Sequence, residues 1–121
     1  MPMPNLPSPW RVVFYKDSRG RSPIAEYLNG LPVSEQAVAA EAFRLLQEFG
    51  ISLGMPHAKH INGKLWELRP GANRFFYFVY VGRQFVVLHA YRKQSQKTPP
   101  QELALAERRL AEVLRGGVED G

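Results

Sequence analysis

The stretch from Arg74 to Arg92, RFFYFVYV-GR-QFVVLHAYR, leaves this chain the fewest choices. Seven consecutive apolar or aromatic residues follow Arg74, rich in the branched and ring side chains that suit a pleated surface. A segment so uniformly apolar predicts a central strand covered on both faces. Gly82-Arg83 then suits a two-residue hairpin turn of type II′, from which Gln84–Arg92 returns antiparallel. In that register paired positions sum to 165, so Arg74 lies opposite Tyr91 and Phe76 opposite His89. Pro70-Gly-Ala-Asn73 reads as a second turn, preceded by a short strand, Lys64–Arg69 (KLWELR). Across that turn Arg69 faces Arg74 and Glu67 faces Phe76. A slip of one residue would send half of these side chains to the other face.

The remaining elements are placed around this meander. Trp10–Lys16 (WRVVFYK) reads as a first strand. Ser22-Pro23 marks the start of a short helix that Gly30 stops. Ser34 opens a second helix, whose apolar face is Val38, Ala42, Leu45, Leu46 and Phe49, and Gly50 closes it. Gly50–Gly63, punctuated by Gly54, Pro56 and Gly63, reads as loop. Thr98, Pro99 and Gln101 have the spacing of a capping box. They precede a final helix with an apolar stripe of Leu103, Ala106, Leu110 and Val113, ended by Gly116-Gly117. The order is β-α-α-β-β-β-α, an α+β fold with helices over one face of a small sheet. With 121 residues, one domain spanning 10–117 is expected, flanked by a proline-rich disordered tail at 1–9 and a short tail at 118–121.

The absence of cysteine excludes disulfides, iron–sulfur clusters, thiolate zinc sites and cysteine nucleophiles. No apolar run approaches the ~20 residues a membrane-spanning helix needs, and the N-terminus lacks the regions of a signal peptide. A soluble cytoplasmic protein is expected. The net charge of +5 is unevenly spread: residues 64–97 carry +6 and the rest of the chain −1. This basic window also holds Trp66, Phe75, Phe76, Tyr77, Phe78, Tyr80, Phe85 and Tyr91. Basic residues interleaved with aromatics are the composition of a nucleic-acid surface, although in strands such rings serve first as core.

One sheet face is thus expected to carry Glu67, Arg69, Arg74, His89 and Tyr91, with Arg92, Lys93 and Lys97 just beyond the strand end. Several guanidinium and ammonium groups could hold a phosphate and neutralise charge growing on it. Tyr91 or His89 could accept a 2′-hydroxyl proton or protonate a departing 5′-oxygen, and nearby rings could stack on splayed bases. The same group could equally form a plain electrostatic binding surface. Glu67 suits a structural anchor for Arg69 or Arg74 as well as a general base, and His89 suits a packed histidine as well as an acid. His57 and His60 lack the further ligands of a metal site. Arg108 and Arg109, interleaved with Glu107 and Glu112, read as a solvated helix face.

The blocks Lys64-Leu-Trp-Glu-Leu-Arg69, Arg74-Phe-Phe-Tyr-Phe78, His89-Ala-Tyr-Arg-Lys93 and Gln96-Lys-Thr-Pro99, followed by Glu102 and Ala106, resemble HigB-type toxins. These form the phage-derived branch of the RelE/ParE toxin superfamily, and the likeness runs over about residues 10–115. It implies two N-terminal helices packed on a small twisted antiparallel sheet, with a C-terminal helix. It further implies the toxin of a type II toxin–antitoxin system, an endoribonuclease that cuts mRNA on the translating ribosome. The implied chemistry is attack by the 2′-hydroxyl without metal or other cofactor. Arg74 matches the phosphate-contacting arginine after the first hairpin turn, and Arg69 the arginine ending the preceding strand. Arg92, Lys93 and Lys97 match the basic cluster after the last strand, where relatives commonly carry two successive lysines. Tyr91 stands at an aromatic position often filled by phenylalanine. Arg74, Lys93, Tyr91, Arg69 and His89 are therefore the catalytic candidates, and Lys64, Arg92 and Lys97 the RNA-binding ones. The implied partner is a helix-turn-helix antitoxin that represses the shared operon. Two rivals stand beside this reading: a ParE-like gyrase inhibitor, and a non-catalytic RNA- or protein-binding relic of the fold.

Overall fold

A computed structural model describes residues 9–116. The tails expected at 1–9 and 118–121 lie outside the described residues, Pro9 apart. Strand β1 (Arg11–Phe14) leads into helices α1 (Pro23–Asn29) and α2 (Val33–Phe49), the latter ending in a 3₁₀ turn over Gly50–Ser52. Strands β2 (Ala58–Asn62), β3 (Leu65–Leu68), β4 (Asn73–Tyr80) and β5 (Gln84–Arg92) follow, and helix α3 (Pro100–Gly116) ends the order. The five strands form one sheet in the order β1-β5-β4-β3-β2.

The sheet and its cover differ from the sequence expectation in three ways. The segment expected to be loop contains β2, an edge strand paired with β3. Its AKHIN sequence has three exposed residues, so it lacks the apolar signature of a buried strand. The sheet is mixed rather than antiparallel, because β1 runs parallel to β5. Parallel pairing needs a long connection, and the intervening helices and hairpins supply it. Both faces of the sheet are covered, not one: α1 and α2 pack on the side of Leu68, Phe75, Tyr77, Phe85 and Val87. Ala106 and Val113 of α3, supported by Leu103 and Leu110, cover Phe76, Phe78, Val86 and Leu88 on the other.

This double cover explains the apolar run in β4, whose residues from Asn73 to Phe78 are all buried. Burying each of Phe75, Phe76, Phe78 and Phe85 contributes about 1.5–3 kcal/mol. Local signals act where expected in α1: Ser22 accepts from the Ala25 amide at 3.1 Å and Pro23 occupies the first turn. Helix α2 buries Ala39, Ala42 and Leu46, but Val38 and Phe49 of the expected apolar face are half exposed. Helix α3 begins at Pro100, leaving Thr98 outside the cap position.

The β4–β5 pairing departs from the expected register near its turn and rejoins it at the far end. The turn has three residues, Val81 to Arg83, with Gly82 and Arg83 at positive φ, not the two residues expected. Near it the pairs are Tyr80↔Gln84 through Tyr77↔Val87, one out from the expected register. A bulge at Leu88 inserts one residue, and beyond it Phe76↔His89 and Arg74↔Tyr91 face each other as expected. The pairing Glu67↔Phe76 is also as expected.

Candidate nucleic-acid interface

Alternation along β3 sends Leu65 and Glu67 to the α3 side and Trp66 and Leu68 to the other. Helix α3 covers that side over Phe76 and Phe78 but leaves open the end of the sheet where β3 and β4 meet their turn. There Lys59, Glu67, Arg69, Arg74 and Tyr91 line a shallow, open cleft, rimmed by Lys93, Ser95, Gln96, Lys97 and Thr98. Lys59 reaches it because it pairs directly with Glu67 across β2 and β3 and so shares its face. Five cations thus share this cleft with one carboxylate.

Glu67 is buried, and its Oε2 accepts the Tyr91 hydroxyl at 2.7 Å. Its Oε1 lies 3.7 Å from Arg69 Nε and 3.9 Å from Arg74 Nε, both too long for hydrogen bonds. Arg74 is buried, and its Nη1 donates to the carbonyls of Gly71 at 2.8 Å and Asn73 at 3.0 Å. Burial first, and the neighbouring Arg69 second, push the Arg74 guanidinium below its usual value, yet it remains a cation at any ordinary pH. The Nε of Arg69 is buried without a hydrogen-bond acceptor, and its Nη1 rests on Met55 Sδ at 3.5 Å. Two guanidiniums at hydrogen-bonding reach of a cleft, sharing one distant carboxylate, form a site that gains by taking an anion.

Residues 26–111 match the family described as phage-derived protein Gp49-like (DUF891). The chain belongs to the Gp49-like family. This family lies within the RelE/ParE-like toxin superfamily and is associated with toxins of toxin–antitoxin systems. No curated protein matches the chain. The matched span takes in α2, strands β2 to β5 and the greater part of α3, and so includes every residue lining the cleft.

In this Gp49-like chain the remaining candidates are dispersed. His89 packs beside Phe76 and Tyr91, which also stack on each other, in the α3-covered part of the sheet, outside the cleft lining. Its Nε2 lies 2.6 Å from Glu102 Oε1, and its Nδ1 3.4 Å from Arg109 Nη1. A carboxylate only accepts, so the neutral ring carries its hydrogen on Nε2 and offers Nδ1 to Arg109. Burial lowers the His89 pKa, against the pull of Glu102. Arg92 points instead to the side covered by α1 and α2, where its Nη1 donates to Glu35 Oε1 of α2 at 2.7 Å. Lys64 is exposed at the β2–β3 turn, outside the cleft lining.

Burial, with Glu67 as its hydrogen-bond acceptor, raises the Tyr91 pKa well above the ordinary phenol value, while a hydrogen bond from Thr98 acts against this. Arg109, expected on a solvated face, is half buried: its Nη1 donates to Leu88 O at 2.9 Å and its guanidinium lies over the Tyr15 ring. Lys59, Ser95, Gln96 and Thr98 were not among the sequence candidates. Only the pairing of β2 brings Lys59 in, and a strand without apolar alternation gives no sequence signal of that pairing. The rings of Phe75, Phe76, Phe78 and Phe85 are core, unavailable for stacking on bases. His60 bonds the Gly63 carbonyl through Nε2, and among the described residues no group of three or more His, Cys, Asp or Glu is placed to hold a metal ion. No helix of the described residues is long and apolar enough to cross a membrane.

Proposed function

We propose that the chain is the HigB-type toxin of a type II toxin–antitoxin system, an endoribonuclease that cuts mRNA in the cytoplasm by attack of a 2′-hydroxyl on the adjacent phosphodiester. The observation that carries this reading is the cleft itself, which five cations share with a single, already hydrogen-bonded carboxylate. Arg74 and Arg69 hold the non-bridging phosphate oxygens, and the ammonium groups of Lys59, Lys93 and Lys97 neutralise the charge that grows as the 2′-oxygen attacks. The 2′-hydroxyl gives up its proton to solvent water as the 2′-oxygen–phosphorus bond forms, the phosphorus–5′-oxygen bond breaks, and Lys93 supplies a proton to the leaving oxygen. The products are a 2′,3′-cyclic phosphate and a 5′-hydroxyl.

Tyr91 does not act as a base in this chemistry, because burial and Glu67 both favour its neutral form, and its one hydrogen is committed to holding the Glu67 carboxylate. His89 acts outside it, with both ring nitrogens engaged in holding α3. By resemblance to HigB-type toxins, the RNA is cut on the translating ribosome and a helix-turn-helix antitoxin is the expected partner. Induction in cells, with 5′-end mapping of RNA in the first minutes, tests the proposal. New 5′-hydroxyl ends inside translated messages, abolished by Arg74→Ala with Lys93→Ala, are the expected result. Arrest with intact messages and broken DNA would instead establish a gyrase inhibitor, and soluble expression without arrest a binding relic.

A further inference from the structure

Arg74 and Lys93 reach the cleft from a turn and a strand end that a buried amide holds in place. Asn73 is 2% exposed and stands one residue before Arg74, so its side chain points to the opposite face of the sheet. Its Oδ1 accepts the Tyr27 hydroxyl of α1, and its Nδ2 donates to Glu35 Oε1 of α2 at 2.9 Å. The same Glu35 oxygen accepts Arg92 Nη1 at 2.7 Å. The main chain of this turn does the complementary work on the cleft side. The Asn73 amide bonds Pro70 O at 3.1 Å, Ala72 O accepts the Lys93 amide at 2.7 Å, and the Gly71 and Asn73 carbonyls hold the Arg74 guanidinium.

We infer that Asn73 is a positioning residue, and that the chain Tyr27–Asn73–Glu35–Arg92 ties the helical layer to the turn that aims Arg74 and Lys93 at the phosphate. The inference rests on the reading above that these two cations act on RNA. It gives Arg92 a role through Glu35 and Asn73 rather than through contact with RNA. A buried amide with donor and acceptor both engaged admits one arrangement, since any rotation leaves a polar atom unsatisfied. The turn it belongs to therefore has one place relative to α1 and α2. Cations fixed in this way need no reorganisation when charge develops on the phosphate.

Three variants outside the cleft test this in the full chain: Tyr27→Phe, which removes only the hydroxyl, Glu35→Ala, and Glu35→Gln, which keeps an acceptor for Asn73 and Arg92. Two readouts are needed. One is kcat and KM on an RNA oligonucleotide. The other is the NMR signal of the Arg74 Nε–H, without ligand and with the 2′-deoxy version of that oligonucleotide. Tyr27→Phe and Glu35→Ala should lower kcat by about tenfold or more with a smaller change in KM, as misplaced catalytic groups do. They should also move or broaden the Arg74 signal, and Glu35→Gln should restore both. A kcat within twofold of the parent together with an unchanged Arg74 signal in folded Tyr27→Phe and Glu35→Ala would overturn the inference. Should the parent chain fail to cleave RNA, the proposed function falls, but the Arg74 signal still decides whether Asn73 positions that side chain.

Discussion

A single buried carboxylate, Glu67, meets Tyr91 at hydrogen-bond distance and two guanidiniums at longer range. Removing the Tyr91 hydroxyl by Tyr91→Phe leaves a buried carboxylate oxygen short of its donor, which should cost roughly 1–3 kcal/mol in urea unfolding at neutral pH. The pH–rate profile of cleavage should keep its shape, since a phenol whose pKa is raised by burial does not lose its proton in the working range. A lost limb in that profile would make Tyr91 a titrating catalyst. His89 offers a second test, because burial holds its folded pKa below the ordinary value of 6.5. The unfolded chain then binds the proton more readily, so stability is complete above about 6.5 and falls as pH drops through the window below it. Urea midpoints at pH 7.5 and pH 5 should differ less in His89→Gln than in the parent chain, and equal differences would remove His89 from the acid sensitivity.

Where β1 begins, its neighbour Trp10 packs on the end of α2. Gly50 ends that helix at φ +59°, and an added Cβ would stand 2.4 Å from the Trp10 ring. Gly50→Ala combines backbone strain with overpacking and should cost roughly 2–6 kcal/mol, read as a fall in the urea midpoint with an unchanged slope. The sequence announced this element end, as it did the β3–β4 turn and both ends of α1, because glycine, proline and serine act locally. Pairings were legible only where a turn set them. The β4–β5 hairpin reached its expected partners at the site through two departures that cancel, a three-residue turn and the Leu88 bulge. Neither departure has a local signature, since Leu88 is one apolar residue among several. Strand β2 was hidden for the opposite reason: it lies at an edge with Lys59, His60 and Asn62 in water, so burial never shaped its composition. With it went Lys59. The positions of Arg92 and His89 were set by α2 and α3 packing across the sheet, a contact between distant segments that periodicity does not encode.

At the scale of the molecule, a sheet covered on both faces leaves one end open, and the charge collects there. Membership in the Gp49-like family places the chain among toxin folds without fixing its chemistry, since related folds carry different activities. Electrostatics separates a cleft that binds phosphates from a protein that is merely basic. The log of the affinity for single-stranded RNA falls with log salt by about 0.7 for each phosphate neutralised, so the slope counts the phosphates that the cleft engages. Lys97→Ala and Lys59→Ala should each flatten that slope, by at most about 0.7. Arg44→Ala removes the same formal charge from α2, where Arg44 is paired with Glu41 and Glu48, and should leave the slope where it was. Fluorescence anisotropy with a non-cleavable 2′-deoxy oligonucleotide over a range of salt concentrations measures all of these. Equal flattening by Arg44→Ala and Lys97→Ala would mean that RNA responds to net charge alone. A slope that changes only with the cleft lysines would make the end of the sheet the place where the backbone is gripped.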